Sequence, residues 1–159
     1  MMIRPATPQD AEILTRISFA SKGYWGYPES YFAIWTKELT VDASYIEKND
    51  VMAFQQGGAV VGYYSVVTLE SDLVFGETSL EKGVWLEHMF ITPECIGKGI
   101  GTQLFSNLHA KCREREIPRL CILADPHARG FYEKMGCEYK REYPSSIKNR
   151  TTPLLVLMV

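Results

Sequence analysis

The chain has 159 residues, of which 46% are hydrophobic, 23% charged and 12% aromatic, and a formal net charge of -2. That is the size of one ordinary domain, able to bury roughly 70% of the surface its unfolded form exposes, and the composition excludes a disordered chain, a collagen, a coiled coil and a disulfide scaffold. No apolar run approaches the ~18 residues needed to cross a membrane, and Met1-Met2-Ile3-Arg4-Pro5 lacks a signal peptide's apolar core, so a cytoplasmic protein with no membrane partner is expected.

Ile3-Arg4 opens with a short strand, and Thr7-Pro8-Gln9-Asp10 starts a helix with a threonine cap, a proline at the first helical position and an acid in the first turn. Ala11, Leu14 and Ile17 recur at helical spacing, and Gly23 is expected to cap the end. After the aromatic turn Tyr24-Trp25-Gly26-Tyr27-Pro28, short helices are predicted over Glu29–Lys37 and Val41–Lys48. Val51–Gln55 and Ala59–Leu69 read as strands joined by a hairpin at Gln56-Gly57-Gly58. Glu70–Gly83 reads as a loop with a ragged strand end. Val84–Ile91 is a strong strand stopped at Thr92-Pro93, and beyond a glycine-rich turn Ile100–Arg115 presents Leu104, Leu108 and Cys112 on one helix face. Arg119–Leu123 is a strand, Ala124-Asp125-Pro126 turns into a helix through Phe131 and Met135 that Gly136 caps, and Cys137–Tyr143 and Leu154–Val159 are the last strands. Without repeats or a low-complexity linker, residues 1–159 read as a single α/β domain.

The four cysteines form no C-x-x-C pair and the three histidines fall at no zinc spacing, so no metal is expected and the thiols read as reduced core residues. The net charge argues against a nucleic-acid partner, but its distribution is uneven. Up to Cys95 there are 6 basic and 13 acidic residues, a balance of -7; beyond it there are 11 and 6, a balance of +5. An anionic ligand would favour the second part.

Ile96-Gly97-Lys98-Gly99-Ile100-Gly101-Thr102 lies between a strand and a helix, where glycine backbone and unpaired amides let an anion such as pyrophosphate approach. It is not a Walker A loop, because Lys98 is followed by Gly99 instead of Ser or Thr. A dinucleotide-binding turn has glycines spaced G-x-G-x-x-G after the first strand of a parallel unit; here they run G-x-G-x-G, although Asp125 falls near the distance of a ribose-binding acid.

The segment Thr92–Leu104 resembles the acyl-CoA pyrophosphate loop of the GNAT superfamily of N-acetyltransferases, [Q/R]-x-x-G-x-[G/A] after a strand that ends at an apolar-x-Pro corner. About thirty residues on, Asp125-Pro126-His127-Ala128-Arg129-Gly130-Phe131-Tyr132-Glu133-Lys134-Met135-Gly136-Cys137 is similar to that family's second signature, N-x-x-A-x-x-F-Y-x-x-x-G-[F/C]. Two positions depart from the pattern. Ile96 replaces the usual Gln or Arg, removing a polar contact, and Asp125 replaces Asn, keeping an acceptor while losing a donor and adding a charge.

The resemblance implies the GNAT fold: a mixed, mostly antiparallel sheet of about seven strands flanked by helices, its fourth and fifth strands splayed. It implies acetyl-CoA as cofactor and transfer of the acetyl group to a primary amine of a small molecule or peptide, directly in a ternary complex. Cofactor contacts would come from Phe90 and Ile91, from Ile96, Gly97, Lys98, Gly99, Ile100, Gly101 and Thr102, and from Asp125, Ala128, Phe131 and Tyr132. Tyr132 matches the tyrosine that protonates the departing sulfur, and Glu87 on the fourth strand is the first candidate base, acting directly or through water, with His88 the second. Trp25, Tyr27, Tyr31, Glu87 and Arg150 are the acceptor-side candidates. Many relatives pair, so a homodimer is among the expected states. A non-catalytic acyl-CoA sensor and, less favoured, a dinucleotide-binding domain are the alternatives.

Overall fold

The computed structural model describes residues 1–75 and 78–159. Its central sheet has seven strands in the order β1-β2-β3-β6-β7-β9-β8, comprising β1 (Met2–Pro5), β2 (Asp50–Gln56), β3 (Ala59–Leu69), β6 (Gly83–Ile91), β7 (Arg119–Leu123), β8 (Glu138–Pro144) and β9 (Thr151–Met158). The sheet is mixed: β6 runs parallel to β7, while β1 and β2, β7 and β9, and β8 and β9 are antiparallel. A separate antiparallel hairpin pairs β4 (Leu73–Phe75) with β5 (Thr78–Leu80). Five α-helices lie among the described residues: α1 (Ala11–Gly23), α2 (Glu29–Leu39), α3 (Ala43–Lys48), α4 (Ile100–Glu114) and α5 (Arg129–Lys134).

Three expectations change. The stretch Glu70–Gly83, expected as a loop, holds β4 and β5, short strands whose few residues give little periodicity; Gly76 and Glu77 within it lie outside the described residues. Gly23 does not cap α1: the helix ends on it, and the glycine with positive φ is Gly26, at 73°. The helix expected from Val41 starts at Ala43, because the Asp42 carboxylate accepts the Tyr45 amide at 2.8 Å and caps it. The hairpin between β2 and β3 turns on Gly57 and Gly58, with φ of 60° and 82°, the left-handed pair a two-residue turn demands.

The described residues form two compact units. One comprises Met1–Ser65 and His88–Asn107, the other Val66–Glu87 and Leu108–Val159. In the first, Leu14 and Ile17 of α1 meet Val41, Ile46, Val51 and Tyr63, all buried, with Phe90 packed against them. The α1 spacing read from the sequence is thus a burial stripe, and truncating such a leucine to alanine costs about 2–5 kcal/mol. The Ser18 hydroxyl bonds both the Leu14 carbonyl and Tyr63 Oη, which settles two buried polar groups. In the second unit, Trp85, Cys121, Tyr143, Leu154 and Val156 form the core, with Val67, Leu69, Leu80 and Leu123 against it. The Trp85 indole donates to the Glu81 carbonyl at 2.9 Å, so the largest ring there is also hydrogen-bonded.

Candidate active site

The glycine turn sits in the first unit. β6 ends at Ile91, the Thr92 amide donates to the Val61 carbonyl at 2.8 Å, and Pro93–Cys95 make one 3₁₀ turn. Gly97 and Gly99 then take φ of 83° and 80°, where any other residue would be strained. The first α4 amide to bond backwards is that of Gln103, to the Gly99 carbonyl at 3.2 Å, so the amides of Ile100, Gly101 and Thr102 precede the helical ladder. Gly97, Lys98, Gly99 and Thr102 are exposed, Ile96 and Gly101 half-buried and Ile100 buried. A row of amides at the positive end of a fifteen-residue helix, behind glycines with no side chain in the way, is chemically a receptor for phosphate oxygens.

Phe90 and Ile91 are half-buried, and the Phe90 ring lies 6.0 Å from His88 and 6.1 Å from Tyr63 between centroids. Gly62 of β3 explains how the chain comes close here: a Cβ added to it would stand 3.2 Å from the Phe90 carbonyl oxygen and 3.4 Å from Ile91 Cγ1. Gly62 was not among the residues the motifs single out. Its signal is a glycine inside a long apolar strand, which marks a close backbone approach.

His88 is 5% exposed and committed at both nitrogens. Nε2 lies 2.7 Å from the Glu38 carbonyl, which only accepts, so Nε2 carries the proton. Nδ1 is then an acceptor, 2.7 Å from Ser65 Oγ, and Tyr45 Oη donates to the same serine at 2.9 Å. Residues 38, 45, 65 and 88 come from four separate elements, and no local motif could announce them. Glu87, one residue before, is exposed on β6 in the second unit.

The second unit holds the later signature. The Asp125 carboxylate caps the 3₁₀ turn Pro126–Ala128: its Oδ1 accepts the His127 amide and the His127 Nδ1–H, each at 2.9 Å. Arg150, expected on the acceptor side, is placed against this acid, with Nη2 3.7 Å from Asp125 Oδ2. Ala128 and Phe131 are half-buried, and the Phe131 ring packs edge-on against Tyr132 at 5.2 Å. Tyr132 is 6% exposed, and burial, with the neighbouring Cys137 and Asp125 adding, drives its phenol pKa far above the ordinary value. At neutral pH it keeps its proton.

The aromatic expectation resolves into a cluster in the first unit. Tyr27 meets Trp35 at 5.1 Å and Tyr31 at 6.0 Å, and Tyr31 meets Trp35 at 5.4 Å. Trp25, 40% exposed, packs on Tyr24. Two members were missed. Trp35, buried, is the cluster's centre and stands four residues after Tyr31 on α2, a spacing that could have revealed it; Lys22 places its ammonium 4.6 Å from the Trp35 ring centroid. Among the described residues no group of acids, histidines and cysteines is arranged to hold a metal, and no helix is long and apolar enough to cross a membrane.

Comparison with known proteins gives the family and the fold. The family model for the acetyltransferase (GNAT) domain matches residues 37–147. No curated protein matches the chain. The fold is similar to that of a GCN5-related N-acetyltransferase from Rhodopseudomonas palustris, with TM-score 0.76 and 20% identity over 99% of this chain and 95% of that one. It is also similar to PaiA N-acetyltransferase from Thermoplasma acidophilum in complex with coenzyme A, with TM-score 0.77 and 14% identity over 99% and 98%. A GNAT family acetyltransferase from Brucella melitensis in complex with acetyl-CoA matches at TM-score 0.67 and 22% identity, over 99% and 86%.

Proposed function

Because the chain belongs to the GNAT family of acetyltransferases, we propose that its 159 residues act as one N-acetyltransferase domain that moves an acetyl group from acetyl-CoA to a primary amine by direct transfer in a ternary complex. The observation that carries this reading is the glycine turn, whose positive-φ Gly97 and Gly99 lead into the unladdered amides of Ile100, Gly101 and Thr102. That donor set suits a pyrophosphate, and crystal structures of two proteins of similar fold contain coenzyme A or acetyl-CoA.

Acetyl-CoA supplies an activated thioester. The residues Gly97 to Thr102 hold its phosphates through backbone amides, with the Lys98 ammonium as a nearby countercharge, and Phe90 and Ile91 offer strand backbone to its amide arm. In the second signature, Asp125, Ala128 and Phe131 are the positions that the family resemblance assigns to the cofactor. Tyr132, protonated at neutral pH, delivers its proton to the sulfur as the carbon–sulfur bond breaks. Glu87 takes the proton lost by the attacking amine, directly or through one water. Its exposed carboxylate suits that task better than His88, whose nitrogens are both hydrogen-bonded. Products are the acetamide and the free thiol. Trp25, Tyr27 and Tyr31 wall the acceptor side, and the -7 balance up to Cys95 favours a cationic amine over an acidic one. Free thiols at all four cysteines suit a reducing, cytoplasmic setting. The proposed partner is a small-molecule or peptide amine; nucleic acid and membrane are not part of the reading, and a second copy of the chain is.

One observation favours a second reading, an acyl-CoA sensor without turnover: the apolar Ile96 at a loop position usually polar in this family. The test separates them. Purified protein is incubated with acetyl-CoA and a panel of mono- and polyamines, thiol release is followed, and thermal unfolding is measured with coenzyme A or NAD. The expected result is amine-dependent thiol release and stabilisation by coenzyme A alone, about 2.7 kcal/mol at a hundred times its Kd. Coenzyme A stabilisation without turnover on any amine indicates the sensor, and stabilisation by NAD alone overturns both.

A further inference from the structure

Asp125 stands where the second signature has an amide, and it brings a negative charge into a position assigned to a cofactor that is itself anionic. The structure shows how that charge is handled. One carboxylate oxygen is taken by His127, through its amide and its Nδ1–H at 2.9 Å each. The other faces Arg150 Nη2 at 3.7 Å, and the two side chains are only 12% and 14% exposed, so neither charge is left to solvent. Arg150 reaches this place because its loop is folded on itself: the Ser145 amide donates to the Arg150 carbonyl at 2.9 Å, the Arg150 amide donates to the Ile147 carbonyl at 3.1 Å, and Ile147 is buried. A left-handed Asn149, with φ of 63°, makes the turn directly before the arginine.

We infer that Arg150 is a positioning residue for Asp125: it neutralises the acid and, with His127 on the other oxygen, fixes the plane of the carboxylate toward the cofactor. The role rests on the acetyl-CoA reading above. It gives the loop between β8 and β9 a part in cofactor recognition that the signature residues do not reveal, and it explains why an acid is tolerated in place of the amide. An isolated buried charge would be costly, and the bracket of His127 and Arg150 offsets part of that cost. The two positions are therefore interdependent, and Asp125→Asn alone, although it restores the family's residue, removes the carboxylate that Arg150 faces at 3.7 Å.

The experiment is a double-mutant cycle with Asp125→Asn, Arg150→Gln, both together, and Arg150→Lys, reading acetyl-CoA KM, kcat and thermal unfolding without ligand. Arg150→Gln is expected to raise KM about tenfold with kcat nearly unchanged; Asp125→Asn raises KM likewise, and the double variant returns to within about threefold of wild type. Arg150→Lys, which keeps the charge, restores most of the loss. An unchanged KM in Arg150→Gln, or single effects that simply multiply in the double variant, overturns the inference. If wild type neither turns over an amine nor gains stability from coenzyme A, it is the cofactor reading that fails. The ligand-free unfolding cycle reads the contact itself in either case: additive Tm changes show that Arg150 does not hold Asp125 and overturn the inference, whereas non-additive ones show the coupling on which it depends.

Discussion

Tyr132 concentrates the chemistry that this chain can supply from a single side chain. Its phenol is 6% exposed, and the first cause of its raised pKa is burial, which penalises the phenolate. Such a group holds its proton at neutral pH and so can hydrogen-bond or donate to a thiolate that forms as the acetyl group leaves, while its raised pKa makes it the weaker acid. Removal of the hydroxyl should therefore strike the chemical step and spare binding. Tyr132→Phe is expected to lower kcat about a hundredfold while acetyl-CoA KM stays within about twofold, since general acids contribute in that range and the ring still packs. Steady-state thiol release, with circular dichroism to show that the fold is kept, checks this; an undiminished kcat would remove Tyr132 from the mechanism. His88 offers the opposite lesson. It stands beside Glu87 on the same strand, but with Nε2 donating to the Glu38 carbonyl and Nδ1 facing Ser65 Oγ, each at 2.7 Å, it must break or relay a hydrogen bond to take a proton.

At the scale of elements, two glycines do different work. Gly97 needs its φ of 83° but has open space where a Cβ would go, whereas Gly62 has no unusual φ and almost no room: its Cβ would meet the Phe90 carbonyl at 3.2 Å, Ile91 Cγ1 at 3.4 Å and Leu104 Cδ1 at 3.5 Å. The nearest obstacle is backbone, which moves only with its strand. Gly62→Ala is thus expected to cost about 1–2 kcal/mol, a Tm drop of roughly 3–6 °C for a chain of this length, and to raise acetyl-CoA KM by shifting the Phe90 and Ile91 backbone. Gly97→Ala should cost about 1 kcal/mol by strain alone. Equal acetyl-CoA KM for Gly62→Ala and wild type would separate that approach from the cofactor. The same contrast shows what was legible in the sequence. Signals carried by neighbouring residues were readable: the α1 stripe Leu14-Ile17, the Gly57-Gly58 hairpin, the Gly97-to-Thr102 turn and the Phe131-Tyr132 pair. Contacts between residues remote in sequence were not, and they include Gly62 against Phe90, the Glu38–His88–Ser65–Tyr45 network and Arg150 at Asp125. The β4–β5 hairpin escaped because three-residue strands carry almost no periodicity.

For the whole molecule, the first unit holds an acid-sensitive carboxylate and the second holds alkali-sensitive thiols together with His109, whose pKa burial lowers and which therefore adds an acid response of its own. In the first, Asp10 accepts both Arg4 guanidinium nitrogens, at 2.8 and 3.0 Å, and the Thr7 amide at 2.8 Å; the Arg4 bonds chiefly hold its pKa below the ordinary value against the opposing effect of burial. A lowered folded pKa means stability that is present above the unfolded carboxyl value, about 3.9, and lost as pH falls through the folded one. In the second unit burial raises the thiols of Cys112, Cys121 and Cys137, the last to about 11 from 9.0. A raised folded pKa acts the other way: the contribution is complete below the unfolded thiol value and disappears as pH rises through about 11, for Cys137 an amount on the order of 2 kcal/mol. Tm plotted against pH should therefore show a plateau with an acid limb and an alkaline limb. Asp10→Asn should flatten the part of the acid limb below about pH 4 and cost about 2 kcal/mol at neutral pH, and Cys137→Ala should flatten the alkaline limb while leaving the acid one in place. Amide exchange locates the two events. Protection near β1 and the start of α1 should weaken as pH falls through the carboxylate range, after any response at His109, and protection around the α5-to-β8 turn should weaken as pH rises, where the Cys137 amide donates to the Tyr132 carbonyl at 3.0 Å. An alkaline limb that survives Cys137→Ala unchanged would assign it to other groups, with the Tyr132 phenol next in line.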